Sequence, residues 1–206
     1  FAGYSIGFWA LPYATRTFLV PMAEAGGALP WYASTQMTAL ILGGWGAAGG
    51  FLGVVIGGWV SDWVKKRNPA GRILIGSLAT IVPAPFLVAM FTTDSLAGFL
   101  LWNLPVGLFG SIYVGIAAAT TQDLVLPRMR GAATATYFIG TTLIGLGLGP
   151  YFTGFVSKVS GSLATGVLAV LLMAPVTLTC LYLVYRKLPA AEASRVERAR
   201  AAGEPI

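Results

Sequence analysis

Few residues in this chain could do chemistry, and most of those that could are charged and crowded together. Asp62, Lys65, Lys66, Arg67 and Arg72 fall within eleven positions, one helical turn beyond Gly57 and Gly58. A carboxylate at the end of one helix, with bases at the turn into the next, can pair with Arg67 or Arg72. It can also dock at the positive end of a neighbouring helix. Gly58 is expected to allow close helix approach there. A second acid, Asp123, follows Gln122 and faces Arg128 and Arg130 across another short turn, the pattern of a second ionic contact.

This is the chemistry of holding and releasing helix ends, and the composition points away from catalysis. The chain has no His, which removes the usual acid/base group, the commonest metal ligand and every His-based triad. A single Cys180 excludes an intrachain disulfide and a thiolate metal site. No catalytic residue, metal or cofactor is expected, and the chain reads as a non-enzyme.

The elements that position these groups are apolar runs. Of 206 residues 56% are hydrophobic and 10% charged, against about 25% charged in soluble domains. Charge-free runs cover residues 25–61, 73–93, 95–122, 131–157 and 159–185. Each exceeds the roughly 20 apolar residues that cross a bilayer. Together with a first run these predict an all-α membrane protein of six spans, near 1–20, 37–60, 73–92, 96–120, 132–156 and 163–185. Runs this long and apolar on all sides exclude the short alternating strands of a membrane barrel.

Lys and Arg set the expected direction. The 2–3 turn, the 4–5 turn and the segment after span six carry 11 of the 13 basic residues. Those segments therefore belong in the cytoplasm, with the C-terminus inside an inner (plasma) membrane. Residues 1–187 read as the bundle and 188–206 as a cytoplasmic tail, either a short helix at the anionic leaflet or a solvated, partly disordered segment. The chain opens at Phe1 inside an apolar stretch, from which further chain ahead of it is expected. Nucleic acid is not an expected partner, because the basic residues follow membrane topology.

The spacing Gly58, three residues, Asp62, then Lys66 and Arg67 between the second and third spans resembles the loop signature of the major facilitator superfamily. It departs from that pattern at Trp63, where a base is usual, and at Lys65, where Gly is usual. The run Gly57-Gly58-Trp59-Val60-Ser61-Asp62 with Arg67-Asn68-Pro69-Ala70-Gly71-Arg72 is similar to the Spinster-like branch. So are Gln122-Asp123-Leu124-Val125 with Pro127-Arg128-Met129-Arg130-Gly131, the run Ile144–Pro150, and Trp9-Ala10-Leu11-Pro12 with Arg16. The stretch 17–32 is longer than that branch suggests.

By this resemblance the chain is the C-terminal six-helix half of a twelve-helix transporter, with its first helix truncated. The implied function is secondary active transport by rocking of two bundles about a midplane site. The implied substrate is a lysophospholipid or sphingoid-phosphate-like amphiphile, carried with proton coupling. Small organic anions or sugars form the alternative cargo, and a non-transporting receptor or assembly subunit the alternative role. The implied partners are the bilayer, the missing N-terminal half and an amphiphilic substrate.

In that fold the first and fourth helices line the cavity, which makes Tyr4, Trp9, Tyr13 and Arg16, with Asn103 and Tyr113, the candidate substrate contacts. Tyr13 and Arg16 lie four and seven residues after Trp9, so these three are expected to share one face. Tyr137 and Thr141 would border it from span five. Arg16 reads either as a headgroup ligand or as an interfacial side chain reaching to water. Asn103 reads either as a cavity residue or as an interhelical hydrogen bond. Glycines at 46, 49, 50, 53 and 57, and at 145 and 149, mark faces for close packing or sliding.

Overall fold

The computed structural model describes residues 1–26, 28–68, 70–201 and 203, without the side chains of 198 and 199. The part of the expected tail at 202 and 204–206 lies outside the described residues. Most of the described residues are helical and none of them forms a strand. Helices α1 (Ala2–Ala14) and α2 (Val20–Glu24) flank a π-helical turn, Thr15–Leu19. Then come α3 (Thr35–Lys65), α4 (Gly71–Ile81), α5 (Pro83–Thr92), α6 (Leu96–Asp123), α7 (Arg130–Ser160), α8 (Leu163–Leu168), α9 (Ala174–Ala193) and α10 (Arg195–Ala201).

Five rods among the described residues are long and apolar enough to cross a membrane: Thr35–Lys65, Gly71–Thr92, Leu96–Asp123, Pro127–Ser160 and Leu163–Ala193. The first apolar run is helical too, from Ala2 to Glu24, but the π-turn just after Pro12 divides it. A proline lacks the N–H that would hold the preceding turn, so interruption near it is expected. Pro83 similarly separates α4 from α5.

The starts are set by hydroxyl caps. Ser34, Ser95 and Ser162 accept from the backbone N–H of Met37, Gly98 and Thr165, opening α3, α6 and α8. Gly161, at φ +70°, ends α7 in the left-handed conformation that glycine adopts without penalty.

Two glycine seams fix the packing. A Cβ on Gly49, Gly53 or Gly57 would lie 2.9, 2.1 or 2.9 Å from the backbone oxygens of Leu104, Leu108 and Ile112, so α3 and α6 meet backbone to backbone. Glycines four apart place three such contacts along one face. The Asn103 amide then donates to the Leu42 carbonyl at 3.0 Å, pinning the same two helices. On α7, a Cβ on Gly145 would lie 2.7 Å from the Tyr4 ring, and one on Gly149 would lie 2.8 Å from the Phe1 carbonyl oxygen and from Ser5 Oγ, so the first rod packs closely there. The close approach expected at Gly58 occurs one residue earlier. Gly57 points at Ile112, whereas a Cβ on Gly58 would meet open space, because one residue turns a helical position by about 100°.

The hydrophobic core lies at the end of the bundle opposite the α3–α4 turn. Tyr13, Phe18, Phe91 and Phe99 pack ring on ring, with Met90, Leu87 and Val167 around them. Elsewhere the rods turn apolar side chains outward; Phe51, Trp59, Leu143 and Tyr151 are each about 70% exposed. An outward apolar surface on this scale suits hydrocarbon rather than water.

At the C-terminus, α9 runs unbroken past residue 187 to Ala193, and α10 follows. The first part of the expected tail is therefore helical, with Leu188 buried.

Candidate functional site

The seam that holds α3 against α6 brings their C-terminal ends together, and α4 starts beside them after a short turn. Four ion pairs form there. Arg72, in the first turn of α4, places Nε and Nη2 on Asp62 Oδ1 at 3.1 and 2.5 Å, and Nη1 on Asp123 Oδ2. Lys65, in the last turn of α3, places Nζ 2.5 Å from Asp123 Oδ2 and 3.2 Å from Glu192 Oε1. One guanidinium thus bridges the acids ending α3 and α6, and one ammonium links α6 to α9.

Burial within the cluster is graded. The Arg72 side chain is 14% exposed and that of Asp123 24%, while the Asp62 side chain is 60% exposed. Asp123 is the inner acid, served by two cations; Asp62 is the outer one, held through a single oxygen. A guanidinium suits the bridging place, since its rigid fork keeps its charge and can serve two acceptors.

The expected residues fall as follows. Asp62 meets Arg72, while Arg67 stacks its guanidinium over Trp63 at 4.3 Å from the ring centroid. Lys66 is exposed. The expected facing bases of Asp123 are Arg128 and Arg130 across the turn; it pairs with Lys65 and Arg72, because the α3–α6 seam points its helix end at α3 and α4. Arg128 and Arg130 are exposed. Asn68, Tyr185 and Glu192 were missed as cluster residues, and Lys65, counted among the crowded charges, was not expected to pair with Asp123 and Glu192. Asn68 donates to the Tyr185 hydroxyl at 3.3 Å. The only sequence signal for Lys65 was its departure from the usual Gly, and Glu192 lies 127 residues further on.

A second group sits on the first rod, α6 and α7. The Tyr4 hydroxyl lies 3.5 Å from Thr142 Oγ1, and Tyr113 and Tyr137 are close enough to interact electrostatically with Tyr4. Tyr4 and Tyr113 are 38% and 42% exposed. The three tyrosines lie near one another, on the first rod, α6 and α7.

The remaining candidates are not brought to this group. Trp9 donates Nε1–H to the Pro150 carbonyl at 2.9 Å and packs on Gly154, tying the first rod to α7. Tyr13 is buried in the aromatic core with its hydroxyl on the Phe91 carbonyl, 3.1 Å away. Arg16 is exposed within the π-turn, so the shared face expected for Trp9, Tyr13 and Arg16 is divided among three surroundings. Asn103 is spent on Leu42, the interhelical reading, and Thr141 bonds its own helix at Phe138.

No family model matches the chain. Curated relatives do. It is 28% identical over 159 residues to the mouse (Mus musculus) protein spinster homolog 3, covering 75% of this chain and 30% of that one. The mouse sphingosine-1-phosphate transporter SPNS2 is 28% identical over 167 residues, covering 76% and 29%. The 3-(3-hydroxy-phenyl)propionate transporter of Escherichia coli (strain K12) is 29% identical over 127 residues, covering 58% and 28%. The chain thus spans about 30% of the length of the curated relatives it matches. Two of these three relatives are transporters by name, and this chain is an all-α, multi-pass membrane protein that resembles the C-terminal half of a Spinster-like major facilitator.

Proposed function

We propose that this chain, which resembles a Spinster-like major facilitator half, is the C-terminal bundle of a secondary transporter working by alternating access. The missing partner is an N-terminal six-helix half. The basic end lies in the cytoplasm, with the segment beyond residue 187 on that side and the bundle in the inner (plasma) membrane.

One observation carries the reading. In the ion-pair cluster three carboxylates share two cations, and Asp62 is left 60% exposed with both of its contacts on Oδ1. An acid fixed in direction by an arginine but presented outward is suited to catch a cation or helix start on the other half. Gly58, one turn earlier and facing open space, leaves room for that half to approach. Asp62 is thus the inner latch, with Arg72 and Asp123 behind it, and Lys66, Arg67, Arg128 and Arg130 as the surrounding cytoplasmic charge.

The substrate reading is an amphiphile of the lysophospholipid or sphingoid-phosphate kind. Tyr4, Tyr113 and Tyr137 offer hydroxyl donors on an otherwise apolar wall, where an acyl chain is at home and a headgroup can be hydrogen-bonded. The spans here carry no Asp, Glu, Lys or Arg in their interiors, so headgroup charge and proton coupling fall to the other half. A second reading, small organic anions, is favoured by the likeness to the hydroxyphenylpropionate transporter.

The test is flux of labelled lysolipid into vesicles holding the full-length transporter. Transport is expected, competed by single-chain phospholipids and not by aryl propionates. The reverse competition selects the small-anion reading, and absent flux of both defeats transport. Asp62→Asn is expected to slow turnover more than it lowers the amount of protein, and wild-type turnover in that variant removes the latch.

A further inference from the structure

Tyr185, Leu188 and Glu192 recur at intervals of three and four, so they share one face of α9. That face meets the corner where α3 turns into α4. The Tyr185 hydroxyl accepts from Asn68 of the turn, Leu188 is 3% exposed, and the Glu192 carboxylate takes Lys65. Just beyond, Arg195 Nη1 lies 3.5 Å from the backbone carbonyl of Asp123, one of the free carbonyls ending α6. The C-terminal extension therefore touches α3, the 3–4 turn and α6 within a few residues of the ion pairs.

Lys65 is the joint. Its single ammonium holds Asp123 of α6 and Glu192 of α9 at once, from a position where the resembled loop signature has a glycine and can make neither contact. Arg72 shares the same Asp123 oxygen. Separation of the α3, α4 and α6 ends would disrupt Lys65–Glu192, Asn68–Tyr185 and the Arg195 contact with them. Contacts made in only one arrangement bias the equilibrium toward it.

We propose that the C-terminal helical extension is a strap that stabilises the closed inner latch, with Glu192 and Lys65 as positioning residues for Asp62 and Arg72. This rests on the latch reading given above.

The test uses the full-length transporter in vesicles, freed of its native cysteines and carrying Ser61→Cys. Ser61 is 2% exposed, adjoins Asp62 and is bonded to the Gly58 carbonyl, so its labelling by an impermeant maleimide reports opening of this end. Glu192→Gln is expected to speed labelling about two- to fivefold, the range a part-exposed ion pair supports. The difference should vanish near 1 M salt, where screening acts over about 3 Å. Glu197→Gln, on the exposed side of α10, should change nothing. Faster labelling with Asp62→Asn but not with Glu192→Gln overturns the strap and keeps the latch. No change with either variant overturns both.

Discussion

The two ends of this bundle are held by different physics. At one end Tyr13, Phe18, Phe91 and Phe99 interlock with Met90 and Val167, and every ring is 7% exposed or less. At the other, Asp62, Lys65, Arg72, Asp123 and Glu192 hold four helices by ion pairs whose members are 14–60% exposed. Ring packing depends on shape, is insensitive to salt, and is lost only by repacking. Part-exposed ion pairs are individually weak and can exchange partners with water or with another protein surface. A bundle that must open at one end while keeping its own fold is served by that division.

The comparison breaks most sharply at the packed end. Phe99→Ala removes a fully buried ring that touches three others, and should cost about 3–5 kcal/mol. Thermal unfolding in detergent should show the loss equally at low and high salt. Gly53→Ala should follow at about 1–3 kcal/mol, since the added Cβ falls 2.1 Å from the Leu108 carbonyl oxygen. The same change at Gly58, which faces open space, should leave the melting temperature of this bundle almost unmoved. A shift at Gly58 as large as that at Gly53 would place an unrecognised surface against it.

These glycines also show how much was legible in the sequence. Spacings of four at 49, 53 and 57, and again at 145 and 149, announced the seams, because the helix period fixes which residues share a face. The choice between Gly57 and Gly58 was not legible, since it depends on the rotation of α3 against α6. The rods could be read from charge-free length alone. The π-turn could not, and with it went the shared face assumed for Trp9, Tyr13 and Arg16. A pair between Asp62 and a base of the following turn was legible, but the choice of Arg72 over Arg67 was not. The inner role of Asp123 and the joint at Lys65 depend on contacts 58 and 127 residues away, which no local pattern carries.

At the charged end the expected effects are smaller than in the aromatic core and depend on salt. Arg72→Gln leaves Asp62 and Asp123 without their common cation and should cost about 1.5–3 kcal/mol, the range for hydrogen bonds to charged groups. Melting at 0.05 and 1 M salt tests this, for the gap between variant and wild type should narrow as screening weakens the pairs. A gap constant in salt would mean that Arg72 acts through the packing of its stem, and the contrast between the two ends would lose its basis.

The smallest effect is expected at Arg16, and it bears on which residues meet the substrate. Its side chain is exposed on the π-turn. Trp9 is committed to Pro150, and Tyr13 to Phe91. A guanidinium without those aromatic neighbours behaves as an interfacial side chain, its stem along apolar surface and its head in water. Arg16→Ala should therefore change stability by less than about 0.5 kcal/mol, as exposed substitutions do. Apparent affinity for lysolipid should stay within about twofold, because a charged pair to a phosphate contributes far more than that. Tyr4→Phe and Tyr113→Phe, which remove hydroxyls from the patch on the first rod and α6, should weaken binding more than Arg16→Ala does. A tenfold loss at Arg16 with no loss at the tyrosines would move the headgroup site from the hydroxyl patch to the π-turn, on the same side of the bundle as the aromatic core.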